Sequence, residues 1–175
     1  MTLTRDNMFT VQSGIHCDLG ALIADICQMD ESQLERYMRM AFTGTRDSKF
    51  LPEEFWHGFS LDPGRTQLEV GSYFGGQIYH SILDASKSEH PTIVDLNRVR
   101  TKFVGVLKRL MQESLEDTAP SDGRKTLAST LVNVAFHIRF SETTPLYPID
   151  HQEIHSLGLQ LNRKYKCRAG YPEKY

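Results

Sequence analysis

A chain of 175 residues with 39% hydrophobic and 24% charged residues has the size and composition of one ordinary globular domain, large enough to bury a core without disulfides or a structural metal. Its formal net charge of −2 argues against a general nucleic-acid binder. Three widely spaced cysteines, Cys17, Cys27 and Cys167, with no Cys-x-x-Cys, argue against a disulfide framework or zinc finger and point to a reducing compartment. No apolar run is long enough to span a bilayer, and MTLTRDNMFTVQSG has no apolar stretch behind a basic cluster, so a cytoplasmic location is expected.

Residues 1–18 read as an N-terminal arm packed on the domain, with Met8 to Val11 as a short extended segment. Leu19, Leu22, Ile23, Ile26 and Cys27 follow the three-and-four spacing of a helix face up to Met29. Asp30 and Gln33 then form an N-cap pair that opens a second amphipathic helix, carried by Leu34, Tyr37, Met38 and Ala41 to about Phe42. After a loop, Pro52-Glu53-Glu54 opens a helix of one or two turns, whose Phe55, Trp56 and Phe59 are expected to plug the core. Ser72 to Ser86 predicts a further helix with Phe74, Ile78, Ile82 and Ala85 on one face. Gly71, Gly75 and Gly76 at its beginning either admit another helix closely or form an irregular turn. A phosphate loop is disfavoured, because no Gly-Lys-Ser/Thr follows.

The strongest signal runs from Thr92, a predicted cap, to Phe140: two apolar-striped stretches joined by Ala-Pro-Ser-Asp-Gly, read as a central helical hairpin. In the first arm Leu96, Val99, Phe103, Val106 and Leu110 lie beside a second row, Val104, Leu107, Met111 and Leu115, so more than one neighbour must cover it. The second arm is apolar nearly all round, through Leu127, Leu131, Val134 and Ile138 with Val132, Ala135 and Phe136, and belongs in the middle of the bundle. Its polar row, Thr126, Thr130, Asn133 and His137, is expected to be exposed or partly exposed as a thin outer face; were it buried, neighbouring helices or water would have to satisfy it. Asp150 and Glu153 suggest a capping box for a final helix carried by Ile154, Leu157, Leu161 and Tyr165 and weakened by Gly158. The tail, 166–175, is expected on the surface. The fold class is all-α: a single-domain helical bundle, 1–175, of about six helices around the hairpin.

Chemistry-bearing motifs are sparse. His151 and His155 stand four apart, but Gln152 occupies the place of the glutamate in His-Glu-x-x-His, and two histidines do not complete a zinc shell. The expectation is that His151 packs at the end of the apolar stripe and His155 faces solvent. Cys27 on an apolar face reads as an inert thiol, and no Gly-x-Ser-x-Gly supports a serine hydrolase. No catalytic residue, metal, cofactor or small-molecule ligand is predicted.

Charge is distributed unevenly. Met1 to Ser60 holds nine acids and five bases, whereas Leu159 to Tyr175 holds five bases and one acid. Segment 98–109 carries Arg98, Arg100, Lys102, Lys108 and Arg109 without an acid, and 163–174 adds Arg163, Lys164, Lys166, Arg168 and Lys174. The leading expectation is a non-enzymatic interaction protein, an adaptor, regulator or small assembly subunit, binding a protein partner or a second copy through helix surfaces. The alternative is a nucleic-acid-binding subunit, in which Arg98, Lys102, Arg109, Arg163, Lys164, Lys166 and Arg168 neutralise phosphates while Tyr165 and Tyr171 stack on bases. A metal-dependent enzyme centred on His151 and His155 ranks third.

Overall fold

The computed structural model describes residues 8–10, 16–18, 26–43, 70–80, 96–140 and 148–171. The predicted aromatic helix after Pro52, the Thr92 cap and the loop after Phe140 lie outside these residues. Strand β1 (Met8–Thr10) pairs antiparallel with β2 (His16–Asp18), Phe9 opposite Cys17, which agrees with the extended segment expected in the N-terminal arm. Six helical segments make up most of the remaining described residues: α1 (26–28), α2 (Glu31–Thr43), α3 (70–80), α4 (Leu96–Glu116), α5 (Asp122–Phe140) and α6 (Pro148–Tyr165). The fold is an all-α bundle.

Local chemistry sets the helix ends. The Asp30 and Gln33 pair forms as the sequence predicts: the Asp30 N–H donates to Gln33 Oε1 at 2.9 Å and the Gln33 N–H to Asp30 Oδ1 at 2.7 Å, satisfying two donors that the first turn of α2 would leave open. Helix α5 starts earlier than expected, because Ser121 caps it, accepting the Arg124 N–H at 3.3 Å on its hydroxyl and the Lys125 N–H at 3.0 Å on its carbonyl. Asp150 and Glu153 are not a capping box. Helix α6 begins at Pro148, whose fixed φ suits a first turn, and both carboxylates turn to α4, where Asp150 pairs with Arg100 and Glu153 with Lys108.

Those pairs fix the topology. Arg100 meets Asp150 near the start of both α4 and α6, and Lys164 reaches the Ser114 carbonyl near the end of both, so the two helices run parallel. Helix α2 runs the same way on the other side, with Glu35 3.6 Å from Arg109 and Arg39 2.7 Å from Glu113. Helix α5 returns antiparallel among the three. Leu127, Ala128, Leu131, Val132, Val134, Ala135 and Ile138 are all buried, so the helix that is apolar nearly all round is the enclosed spine that its sequence predicts.

Helix α3 crosses α5 at backbone contact. Its middle, Tyr73–Ile78, is a widened π turn, closed by the Tyr79 N–H donating to the Phe74 carbonyl five residues back. A Cβ added at Gly71 would lie 2.4 Å from Asn133 Cβ, and one at Gly75 2.4 Å from the Val134 carbonyl oxygen. Of the two readings open for these glycines, close helix approach is therefore the one realised at Gly71 and Gly75. Phe74 then drives into the core, edge-on to Phe42 with ring centroids 4.9 Å apart.

A charged cluster ties α2, α4 and α5 together. Glu113 accepts from Arg39 and from Arg124, and Arg124 Nε also stands 3.0 Å from Asp117. The hydrogen bond from Arg39, with that from Arg124, holds the Glu113 carboxyl at about 2, well below its ordinary 4.5. Its depressed folded value means that this stabilisation is present above pH 4.5 and is lost as pH falls towards about 2. Burial likewise lowers His137 from its ordinary 6.5, with Arg168 adding to the effect, so the unfolded chain takes up that proton first and acidification below 6.5 weakens the fold. Both shifts have the same sign. Glu113→Gln should lower the melting temperature at pH 7 by about 2–4 °C, the equivalent of about 1 kcal/mol for two partly exposed pairs. The gap from wild type should close as pH approaches 3; parallel melting profiles for the two proteins from pH 7 to pH 3 would refute the assignment.

Candidate functional site: the C-terminal end of the bundle

Both basic segments are drawn into the architecture. Lys102 donates to the carbonyls of Ile26 at 2.9 Å, Cys27 at 3.4 Å and Met29 at 2.6 Å, so its ammonium closes the end of α1, where a cation suits the helix dipole. Burial lowers its pKa. Lys164 repeats the device on α4, donating to Ser114 at 3.0 Å, Leu115 at 2.9 Å and Asp117. An ammonium has three donors, so neither lysine has a proton left for a phosphate. Arg109 lies beside Glu35. Arg168 sits 3.6 Å over the Phe136 ring and donates to Asn133 Oδ1, an inward position in which burial lowers its pKa.

Arg98, Arg163 and Lys166 remain exposed. Along α4, Lys102 stands about 18 Å from Ser114, where Lys164 docks. Tyr165 donates its hydroxyl to the Ser114 carbonyl at 2.9 Å. Tyr171 is 5% exposed, too buried to stack on a base.

The burial of Tyr171 departs from the expectation of a surface tail, although Lys166, Ala169 and Gly170 before it are exposed as expected. Lys166 takes φ 54° and its N–H reaches the Asn162 carbonyl at 2.7 Å, ending α6 in a left-handed cap. The Asn162 side chain then clasps Arg168, donating to its carbonyl at 2.9 Å and accepting its N–H at 2.8 Å. With Gly170 at φ 75°, the chain turns back and lays Tyr171 over Gly158, where an added Cβ would be 2.3 Å from the phenol oxygen. The glycine that weakens α6 in isolation thus opens the slot that holds its tail.

Two further expectations are corrected. Of the polar row of α5, Thr126 and His137 are partly exposed as expected, but Thr130 is 0% and Asn133 2% exposed. These two are buried and satisfied: Thr130 donates to the Phe42 carbonyl at 2.9 Å, and Asn133 donates to the Ser129 carbonyl at 2.9 Å while accepting from Arg168. His155 does not face solvent; it is 5% exposed and stacks on Tyr171, with centroids 5.5 Å and planes 13° apart. His151, 2% exposed, packs 5.6 Å from Tyr79 at the end of the apolar stripe, as expected. Among the described residues no group of three or more His, Cys, Asp and Glu could hold a metal ion, and no helix is long and apolar enough to cross a membrane.

Where the α4–α5 turn meets the end of α6, a cleft of about 610 Å³ opens, lined by Pro120, Lys125, Ser129, Lys164, Tyr165 and Cys167. Of these, the sequence marked only Lys164 and Tyr165 as contact residues, with Cys167 noted as one of three cysteines. The others come from a turn, from the outer side of α5 and from beyond α6, and no spacing rule links them. Burial pushes the Cys167 thiol up, so it remains a thiol and not a ready nucleophile. No family model, curated protein or solved structure matches the chain.

Proposed function

We propose that this bundle is a non-enzymatic interaction protein, an adaptor, regulator or small assembly subunit, that docks a protein partner or a second copy of itself on the outer face of α6. The supporting observation is the composition of that face. Gln152, Ser156, Leu159 and Arg163 fall on one line of the helix at its three-and-four spacing; the other three are exposed, and Leu159 is half-buried, packed in part against the core. Gln160, beside the line, is held by its own helix at 3.3 Å from the Ser156 carbonyl. The line therefore presents one leucine, three uncharged polar groups nearby and a single cation. Glu153 and Lys164, also exposed on α6, flank the line without entering it. Interface centres are depleted of charge and contain an apolar anchor, and Leu159 among Gln152, Ser156 and Gln160 has that composition.

Multi-angle light scattering over a range of concentrations tests this, followed by capture from the native cell if the protein alone is monomeric. The expected result is an assembly heavier than the 20.0 kDa chain that Leu159→Glu disperses by at least about tenfold in affinity, with melting changed by less than about 1 kcal/mol. A solitary monomer that turns over a small substrate, or an assembly indifferent to Leu159→Glu, would overturn the reading.

A further inference from the structure

We propose that the cleft between the α4–α5 turn and the end of α6 is a binding site for a small organic carboxylate with an apolar body. It is separate from the outer line of α6 and does not depend on it. At about 610 Å³ the cleft falls within the range of small-molecule sites. Among the described residues its lining holds two lysines and no carboxylate. The two tyrosine and cysteine groups in it stay uncharged, since burial raises both Tyr165 and Cys167. The cleft's described lining therefore presents positive charge, with the carboxylates of Asp122, beside Lys125, and Asp117, near Tyr165 and paired with Arg124, at its edge.

The two lysines differ in what they can do. Lys164 has all three protons on the carbonyls of Ser114, Leu115 and Asp117, so it supplies a fixed charge and an aliphatic stem. Lys125, on the first turns of α5, is 59% exposed and meets only the fully exposed Asp122, at 4.0 Å. A helical pair of that kind contributes a few tenths of a kcal/mol, so a ligand carboxylate can take Asp122's place. Pro120, Tyr165, Cys167 and the aliphatic part of Lys164 supply the apolar share of the lining, and Ser129, whose side chain hydrogen-bonds Cys167, belongs to the same lining. A bare anion would leave that apolar share in contact with water, and a neutral apolar molecule would leave Lys125 unused. A carboxylate on an apolar body answers both.

The probe is 4-phenylbutyrate, titrated into the ¹⁵N-labelled full chain and followed by amide chemical shifts, with 4-phenylbutanol and inorganic phosphate as comparisons. Saturable shifts centred on Lys125, Ser129, Tyr165 and Cys167 are expected below about 10 mM, the range for a weak ligand of this size. The alcohol and phosphate should bind about tenfold more weakly, and Lys125→Glu should lose about tenfold or more, as removal of one charge-assisted contact requires. Lys125→Gln, which keeps the side chain's length without its charge, should fall between. No saturable shift, shifts centred elsewhere, equal binding of the alcohol or of phosphate, or unchanged binding by both Lys125 variants would each overturn the proposal.

Discussion

Leu131→Asp should leave no folded protein: insoluble on expression, or, where a soluble fraction is obtained, without a cooperative melting transition by circular dichroism. Leu131 is fully buried on α5, enclosed by α2, α3, α4 and α6. Removing the leucine forfeits about 2–5 kcal/mol of burial and packing. The new carboxylate then faces only apolar neighbours such as Leu127, Val134 and Ala135, where an unpaired charge costs several kcal/mol more or must take a proton. The sum matches or exceeds the whole stability of an ordinary domain, about 5–15 kcal/mol. Thr101→Asp is the control, because Thr101 is exposed in the first turns of α4 beside Arg100, where an acid should change stability by less than about 0.5 kcal/mol. A soluble Leu131→Asp protein that melts like wild type would show that α5 is not the spine.

The features of this fold that were legible in the sequence are those written in local periodicity and capping chemistry. Asp30 and Gln33 are three residues apart and need only each other, so their box was readable before any tertiary contact was known. The enclosed character of α5 was equally plain, since its apolar side chains occupy almost every direction around the axis. Asp150 and Glu153 have the same spacing as the first pair and misled, because Arg100 and Lys108 on a parallel helix were better partners than their own backbone.

The basic segments show the limit most clearly. Clustered cations in a sequence suggest phosphate, yet Lys102 and Lys164 each serve the end of another helix, a use set by partners more than forty residues away in sequence. His155, Thr130 and Asn133 were expected to meet solvent on residue type alone. The returning tail covers the first through Tyr171, while Arg168 and the Phe42 carbonyl engage the other two. The cleft beside Pro120 has no sequence signature at all, being assembled from three elements whose meeting point only the packing fixes.

The close crossing of α3 over α5 gives the second large effect, and it reverses the usual sign of a glycine substitution. Within a helix, replacing glycine by alanine ordinarily stabilises by about 0.5–1 kcal/mol, because alanine gives up less backbone entropy on folding. At Gly105, in the middle of α4, an added Cβ meets nothing nearer than Glu31 Oε1 at 3.6 Å, so Gly105→Ala should show that gain. At Gly75 the added carbon would be 2.4 Å from the Val134 carbonyl oxygen and 3.1 Å from His137 Cβ. The first of these is backbone of the central helix and cannot swing aside, so α3 must lift and Phe74 with it. Overpacking of this kind costs about 1–3 kcal/mol or more.

Thermal unfolding of these two variants beside wild type is the most direct measurement of whether the bundle is built around α5 with α3 pressed against its backbone. The account predicts Gly105→Ala melting about 1–4 °C above wild type and Gly75→Ala at least about 4 °C below it. Two alanine variants that shift together, both upward or both by nothing, would contradict it.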